Sequence, residues 1–586
     1  MSPELSGERG TPPWTLWILV LMTLGAVGVR AVGIDYAVPL LREGDSHIPV
    51  HAELLRRGQT LQAKQNQDNV QYPRLLAGAV SLLPRASLEQ PAQATLEQHL
   101  SVARRTDVQV RGLVALLAAS ILPATWLLAR RRLGPRWALL AAAIPATSLL
   151  HLCFSQQARP HAAFASLFLW TVLAAVQLRA RPTWGRHVLV GVLAGLTLGC
   201  LQSGLIALPV VAVAWLLRER GTERRGWSAP RLALIVALIL VSVRVFYAFL
   251  FDAELMDARG VFRSEGAGLQ LANHRLDLGM FDGSGLGHIA AALWNWEPQL
   301  LLLSPLVVVG LLVGPRRPAT AGAGRELLVL LTATLPYLVV IGLYARTYER
   351  FLLPLLPFAG LLVAAGTRGL AERLRGSGPR ALLACTVGLA LLAGAWASTR
   401  LAWVRSQPDT LELASAWVRA EVDPGAESVF VSPPLDLAVG RADSGLVRAD
   451  GRRLTTLFSP WSRHQFRLAE GERPQPVYDL RWLVADGRTG NLDDPATLAA
   501  YLDGFGPGVF VVEVADGRAS RLLGLMAAEL ERRGTLEARF SPDPDPYFSN
   551  HPLMDEDEEV ANWPHVFRRV LRARAVGPVI EVYRVH

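Results

Sequence analysis

The polar stretch REGDSHIPVHAELLRRG, Arg42–Gly58, follows the first apolar run of a chain of 586 residues that is 51% hydrophobic. It is too polar to cross a membrane, and it contains one aspartate, two histidines and two glutamates. A carboxylate such as that of Asp45, partly shielded at the lipid–water boundary, can act as a general base towards a hydroxyl or an amine. The alternative is structural, since Asp45 would equally suit an exposed loop or the N-cap of the helix that the pattern predicts near Pro49.

Basic side chains that could hold a phosphate follow two later apolar runs, in FSQQARPH (Phe154–His161) and YARTYERF (Tyr344–Phe351). A guanidinium group grips two phosphate oxygens at once. An arginine just outside the hydrocarbon can instead serve as a simple anchor of the helix. A carboxylate and several cations on one side of the membrane would suit a lipid-phosphate substrate. The candidate phosphate ligands are Arg159, Arg346, Arg350 and Lys64.

The elements that must position these residues are membrane helices. The mean hydropathy of the chain is +0.28, and a spanning helix needs about 20 apolar residues. Residues 187–217 are too many for one span, and dividing them at Gln202 brings the expected total to about eleven spans. The other predicted spans are Trp14–Val32, Val108–Leu128, Trp137–Phe154, Ala162–Leu178, Ala233–Phe251, Leu300–Val313, Leu327–Tyr344, Leu352–Ala365 and Ala381–Ala397.

Arginine-rich connections set the predicted orientation. Stretches such as ARRRLGPR (Ala129–Arg136) and RGLAERLRGSGPR (Arg368–Arg380) fall on alternate connections if the span count is right. Because cytoplasmic loops are enriched in Lys and Arg, that side is predicted to be the cytoplasm. We therefore expect a multi-pass protein of the inner or plasma membrane, with a cytoplasmic N-terminus and with loops 33–107 and 252–299 outside.

The predicted organisation has two parts. Residues 1–399 form the transmembrane domain, and its external loop 33–107 contains two amphipathic stretches, Ile48–Leu55 and Ala94–Val102, that are typical of interfacial helices. In residues 400–586 the strand-like stretches SVFVS, RWLVA, GVFVVEVA and PVIEVYRV alternate with helical patterns. The predicted fold class is therefore a polytopic α-helical membrane protein with a C-terminal soluble α/β domain outside the cytoplasm.

Composition argues against several other classes of function. The net charge is +9 and the pI about 9.9, but the arginines cluster between apolar runs and form no basic patch interleaved with aromatic residues, as nucleic-acid binding would favour. The sequence has no zinc-ligand spacing and no glycine-rich nucleotide loop. We therefore expect no nucleic-acid partner, no nucleotide and no required metal.

The order of these motifs resembles that of the GT-C membrane glycosyltransferases, in particular the protein O-mannosyltransferases and lipid A aminoarabinose transferases. GDSHIPVHAELLRRG resembles the Asp-Glu loop of that family, and YPRLL resembles its YPPL element. SQQARPHAAF resembles S-x-x-A-R-P-Y, and ERFLLPLLPF resembles the late RY-x-LPLLP element. The resemblance covers nearly the full length, and the order of the motifs is its specific part.

The resemblance implies a function and a set of site residues. It implies that Asp45 is the general base of an inverting transfer, from a sugar on a polyprenyl phosphate to an extracytoplasmic protein, lipid or glycan. Arg159, with Arg346 or Arg350, would then balance the charge of the phosphate leaving group. No cofactor beyond the lipid-linked donor and no divalent metal is implied. The further substrate-binding candidates are Lys64, His47, His161, Tyr72 and His274.

The chain also departs from the family pattern. Asp45–Ser46 stands where the family has Asp-Glu, so Glu43 or His47 would have to replace the glutamate. His161 stands where the family has a tyrosine. These departures indicate a divergent member, and two other functions stay open: a transporter or flippase of a lipid-linked substrate, and a non-catalytic scaffold. Against a transporter, the sequence shows no repeated halves and no matched pair of broken helices.

Overall fold

A computed structural model describes most of the chain. For residues 228, 269–271, 274–276, 278, 321 and 520–523 it describes the backbone only. The described residues are 12–41, 47–58, 73–218, 228–247, 269–271, 274–276, 278–314, 321–432, 435–443, 459–483, 494–514, 520–542 and 566–586.

In the first two thirds of the chain, the described residues are mostly helical. The helices up to residue 216 are α1 (Pro13–Ala31), α2 (His47–Arg56), α3 (Leu75–Ser81), α4 (Leu96–Ala119), α5 (Ile121–Leu133), α6 (Pro135–Thr147), α7 (Leu149–Ser155), α8 (His161–Ala180), α9 (Trp184–Cys200) and α10 (Ala207–Leu216). The next are α11 (Ser228–Phe246), α12 (Gly285–Trp296), α13 (Pro298–Val313), α14 (Ala321–Leu343), α15 (Leu356–Arg373) and α16 (Ser377–Arg405). Short 3-10 helices occupy Pro91–Gln93, Gln202–Ile206, Leu278–Met280 and Glu349–Leu355. A small hairpin pairs β1 (Leu269–Leu271) with β2 (His274–Leu276).

Among the described residues, seven helices are long and apolar enough to cross a membrane, or up to nine if each of two bent pairs is one span. The bent pairs are α6 with α7, at 58°, and α12 with α13, at 110°. The chain is therefore a mostly helical, multi-pass membrane protein. Helix α9 and the run Gln202–Leu216 are apolar but shorter than a full span, so the expected total of eleven stays a prediction.

Glycines on α9 allow close packing in the transmembrane part. Gly191, Gly195 and Gly199 recur every four residues and lie along one face of the helix. A Cβ atom on Gly195 would come within 2.1 Å of the Ser242 hydroxyl, and one on Gly199 would overlap the ring of Phe246. Small residues at this spacing let two membrane helices approach closely. This spacing therefore fixes α9 against α11.

The second amphipathic stretch of the first loop belongs to a longer helix. Ala94–Val102 overlaps the first part of α4, which runs without a break from Leu96 to Ala119, and the external loop 33–107 stays a prediction. Thr95 caps its N-terminus through a capping box with Gln98, with the hydroxyl accepting from the Gln98 amide at 3.3 Å. The amphipathic pattern arises because this first part of α4 packs against the C-terminal part of the chain. The other predicted loop helix coincides with α2.

The C-terminal part contains a five-stranded mixed sheet of order β6-β3-β7-β9-β8. Strand β3 is parallel to both of its neighbours, and β9 is antiparallel to both of its own. The strand bounds are β3 (Val429–Val431), β4 (Gly440–Arg441), β5 (Val477–Tyr478), β6 (Leu480–Trp482), β7 (Gly508–Val514), β8 (Gly534–Phe540) and β9 (Val579–Val585). The helices of this part are α17 (Thr410–Glu421), α18 (Pro460–Gln465), α19 (Pro495–Asp503), α20 (Ser520–Arg533), α21 (Val566–Arg572) and the 3-10 helix Glu470–Glu472.

The first loop packs directly against the C-terminal part. Leu40, which is buried, belongs to the same apolar cluster as the buried side of the sheet. The backbone N–H of Trp461 in α18 donates to the carbonyl of Pro39 at 3.0 Å. These contacts place the C-terminal part on the same side of the helical bundle as the first loop. That it is a separate soluble domain outside the cytoplasm stays a prediction.

Candidate functional site

The turn between α7 and α8, residues 156–160, is tied to the ends of two distant helices. The Gln156 side-chain amide donates to the carbonyls of Arg30 at 3.2 Å and Val32 at 2.6 Å. The guanidinium of Arg405 donates to the carbonyl of Cys153 at 3.1 Å and to Gln156 Oε1 at 3.0 Å. These hydrogen bonds are buried or nearly so, and they hold the backbone that carries Arg159 in place.

A second buried arginine supports the helix that precedes this turn. Arg30 donates from Nε to the Ser155 hydroxyl at 3.2 Å, and its Nη2 lies 2.8 Å from His151 Nδ1. Because a guanidinium only donates hydrogen bonds, His151 Nδ1 must be the acceptor in this pair. Helix α1 and the bent pair α6–α7 are therefore locked together at this end of the bundle.

The beginning of the first loop is fixed by two arginines that contact one aromatic ring. The guanidinium groups of Arg111 and Arg405 lie 4.3 Å and 4.1 Å from the ring centroid of Tyr36. Arg111 also donates to the carbonyls of Ile34 at 2.7 Å and Tyr36 at 2.8 Å. The chain is thus held in place a few residues before the polar stretch of the first loop begins.

Four of the predicted site residues lie close together at His161. This histidine opens α8 and is buried, and it interacts electrostatically with Arg350, Arg159 and His47. Its ring also lies 6.2 Å from that of Phe154, edge to face. The structure therefore brings residues of α2, the 156–160 turn and the segment after α14 to one buried place, which we call the histidine–arginine cluster (His47, Arg159, His161 and Arg350).

Arg350 reaches this cluster from the 3-10 helix Glu349–Leu355, which packs against α7 and α8. Its guanidinium lies over the ring of Tyr348 at 4.1 Å, a cation–π contact that fixes the position of a partly desolvated cation. Glu349 beside it is buried as well. Burial of charged groups inside a membrane protein costs free energy, and such groups mark functional sites more often than structural ones.

Helix α2 contributes two buried histidines one turn apart. The ring centroids of His47 and His51 are 5.7 Å apart. Burial, and then the positive charge of Arg74, lowers the pKa of His51 to about 4, so this ring is neutral near pH 7. Its Nε2 has no hydrogen-bond partner among the described residues. This side of α2 therefore presents two imidazole rings to the cluster, and the ring of His51 is neutral near pH 7.

The structure describes the side chain of only one other predicted site residue. Arg346 is exposed in the turn that follows α14, unlike the buried residues of the cluster. The backbone of His274 lies in β2, and its side chain is outside the described part of the chain. The remaining three candidates, Asp45, Lys64 and Tyr72, lie outside the described residues. No group of three or more His, Cys, Asp or Glu side chains that could hold a metal occurs within the described ranges.

Sequence reasoning overlooked several residues that build this site. His51 is four residues after His47, and this spacing on a predicted helix was a usable signal, because such residues share one face. Arg30 and Arg405 had no comparable signal. They stand at the ends of apolar runs, where an arginine is normally an interfacial anchor, and only the folded chain brings them to the 156–160 turn.

Residues 93–247 match the family model of the dolichyl-phosphate-mannose-protein mannosyltransferases. The matched stretch contains Arg159 and His161 and ends before Arg350. It confirms the resemblance of this chain to the GT-C membrane glycosyltransferases. A search of curated proteins found no match.

Several solved structures resemble the chain at low identity. ArnT from Cupriavidus metallidurans, bound to undecaprenyl phosphate, is 13% identical, with a TM-score of 0.47 over 85% of this chain and 93% of that one. The Archaeoglobus fulgidus oligosaccharyltransferase is 12% identical, with a TM-score of 0.47 over 90% and 73%. The mycobacterial arabinofuranosyltransferase AftD is 16% identical, with a TM-score of 0.44 over 98% and 40%. Similarities of this size do not by themselves define a function.

Proposed function

We propose that this protein is a GT-C membrane glycosyltransferase. It moves a sugar from a polyprenyl-phosphate donor to an acceptor outside the cytoplasm, in the inner or plasma membrane, with its N-terminus in the cytoplasm. The observation that carries the proposal is the histidine–arginine cluster, in which two arginines from separate elements converge with two histidines inside a multi-pass protein. The family match over residues 93–247 supports the same class of reaction.

The arginines would act on the leaving group. In a glycosyl transfer from a lipid phosphate, negative charge develops on the phosphate oxygen as the bond to the sugar breaks. Arg159 and Arg350 are buried, and fixed cations in a place with little water stabilise such charge far better than exposed ones. Because hydrogen bonds hold the backbone of the 156–160 turn that carries Arg159, and the Tyr348 ring lies against the Arg350 guanidinium, little reorganisation is needed when the charge appears.

Asp45 would act on the acceptor. As the acceptor oxygen or nitrogen bonds to C1 of the sugar, its proton passes to the Asp45 carboxylate. The C1–oxygen bond breaks on the opposite face, and its electron pair leaves with the polyprenyl phosphate, so the anomeric carbon is inverted. Asp45 is two residues before His47, and covalent geometry limits the separation of their Cα atoms to about 8 Å. The chemistry requires neither a nucleotide nor a metal, because the lipid phosphate already activates the sugar.

The histidines would orient the sugar. A neutral imidazole can both donate and accept a hydrogen bond, and His161 and His47 lie among the cations that would hold the phosphate. Hydroxyl groups next to C1 are suited to such partners. Lys64, Tyr72, His274 and Arg346 remain predicted substrate-binding residues at the donor or acceptor entrance.

The test is transfer of radiolabel from a polyprenyl-phosphate sugar, by purified protein in liposomes, to an acceptor or to water. General base catalysis contributes about a hundredfold to ten-thousandfold, so Asp45→Asn should lose at least a hundredfold of the transfer rate. The control is Asp35→Asn, because Asp35 is also in the first loop but pairs with Arg104 at 3.3 Å and is half exposed. Equal transfer by both variants would remove Asp45 from the mechanism.

The same liposome assay distinguishes an enzyme from a transporter. A flippase would move the intact lipid-linked sugar across the bilayer without cleavage, and the label would stay on the lipid. A non-catalytic scaffold would show neither transfer nor movement. Cleavage of the sugar–phosphate bond by the unaltered protein supports the enzyme, and movement without cleavage contradicts it.

A further inference from the structure

A second group of arginines surrounds a cavity of about 250 Å³ on the other side of α2. The cavity lies between α2, the first part of α4, the segment before Pro91 and α18 of the C-terminal part. Its wall includes Pro49 of α2 and His464 of α18. The charged residues that line it are Glu53, Arg85, Arg105, Asp107, Arg463 and Arg467. We call it the arginine cavity.

Glu53 is shared by several of the cations around this cavity. Its carboxylate lies 2.9 Å from Arg56, 3.7 Å from Arg85 and 3.9 Å from Arg467. It also accepts a hydrogen bond from the Thr106 hydroxyl at 2.6 Å. One carboxylate thus serves three guanidinium groups, and the lining as a whole has four arginines against two acidic residues.

Repulsion among these arginines is visible at Arg467. Burial above all, and then the positive charges of Arg57, Arg463 and Arg85, lower its pKa to about 10, although Glu53 acts in the opposite direction. Cations crowded into a concave, partly desolvated place focus a positive potential there. An anion in the cavity would relieve that repulsion.

We propose that the arginine cavity binds an oxyanion, a phosphate or a carboxylate, of the acceptor. The assignment to the acceptor rests on the proposed function, whereas the binding itself does not. Helix α2 separates the two sites, with His47 and His51 on the side of the histidine–arginine cluster and Pro49 and Glu53 on the cavity side. A helix with its side chains is about 10 to 12 Å wide, which sets the scale of the separation between two sites on its opposite faces. An acidic group in the cavity can therefore belong to the same molecule whose nucleophile reaches the cluster.

The first experiment measures binding by calorimetry on the full-length protein in detergent. Inorganic phosphate and glucuronate are the two probes, and they separate a phosphate from a carboxylate ligand. The variants Arg105→Gln and Arg463→Gln remove one cavity cation each, and each should weaken binding about tenfold, as expected for loss of one charge-assisted contact. The matched control is Arg104→Gln, because Arg104 is adjacent on the same helix but pairs with Asp35 and Glu97, at 3.3 and 3.2 Å.

The outcomes separate this inference from the proposed function. Saturable binding of one probe that the cavity variants weaken and Arg104→Gln leaves unchanged supports the cavity site, even if Asp45→Asn retains transfer. No saturable binding of either probe, or equal weakening by the control, overturns it. If the cavity holds the acceptor, Arg105→Gln should raise KM for an acidic acceptor about tenfold, whereas the control Arg104→Gln should leave this KM unchanged. An unchanged KM overturns the acceptor assignment.

Discussion

Helix α2 lies between two groups of arginines that differ in how they are held. In the histidine–arginine cluster, Arg159 and Arg350 are buried, and their positions depend on a hydrogen-bonded turn and an aromatic ring. In the arginine cavity the cations share Glu53, and side chains such as that of Arg85 are half exposed. One site therefore relies on a rigid scaffold, and the other on ion pairs in contact with water.

Because of this difference, the two sites are suited to different tasks. Electrostatic stabilisation of a transition state requires fixed groups in a place of low dielectric constant, as the cluster provides. Capture of an anionic ligand from water suits exposed cations, whose attraction acts over about 8 to 10 Å and weakens with salt. We therefore expect the cluster to govern the chemical step and the cavity to govern binding.

The largest expected effect comes from removing a cluster cation. Loss of one preorganised donor to a developing oxyanion typically reduces the rate about a hundredfold to a thousandfold. Arg159→Gln should therefore lower kcat by about a hundredfold, measured as label transfer at saturating donor and at two salt concentrations. The control is Arg136→Gln, whose guanidinium is exposed and lies over Trp14. If Arg159→Gln and the unaltered protein had equal kcat at high salt, the effect of Arg159 would be screened by salt, as expected for the exposed cations of the cavity and not for a buried one.

A smaller effect is expected from the scaffold of the cluster. Gly33 has φ +66°, and an added Cβ would lie 2.6 Å from the carbonyl carbon of Arg405. A left-handed conformation and overpacking each cost about 1 to 3 kcal/mol, so Gly33→Ala should lower the thermal midpoint by several degrees and reduce transfer. Gly25→Ala is the control, because a Cβ atom added at Gly25 would meet no other atom within 4 Å. Equal midpoints for the two variants would contradict the close approach of the first loop to α16.

The smallest effect concerns pH and the wall of the cavity. Burial, then the charges of His99 and Arg467, lowers the pKa of His464 to about 4, and its Nε2 lies 3.0 Å from His99 Nδ1. Between about pH 6.5 and pH 4, His464 is protonated in the unfolded chain and neutral in the folded chain. Stability therefore falls as the pH decreases through this window, by at most about 1.4 kcal/mol per pH unit for one histidine.

Thermal unfolding in detergent at pH 7.5 and pH 5 measures this contribution. His464→Gln should flatten the loss of stability between the two pH values. His51, whose pKa is also lowered to about 4, makes the same contribution to the pH dependence of stability in the unaltered protein and in the variant, so it cancels in the comparison. If the variant lost as much stability between pH 7.5 and pH 5 as the unaltered protein, the contact between α4 and α18 would not keep His464 neutral.

Much of the local structure was predictable from sequence. The amphipathic stretch Ile48–Leu55 coincides with α2, and the strand-like GVFVVEVA coincides with β7. A local pattern does not record what an apolar face packs against. The beginning of α4 has the pattern of an interfacial helix because one side is apolar, and in the structure that side packs against Trp461 and its neighbours while the same helix continues to Ala119.

The apolar spans, the strands and the order of the motifs can be read from the sequence, because they depend on residues that are near one another in the chain. Only the tertiary structure decided that Arg350, more than half the chain away from His47, completes the cluster with it. It also decided that Arg105 and Arg463 line one cavity. The reason is physical: the charge and burial of a side chain depend on partners from distant segments, and no local pattern records which segments meet.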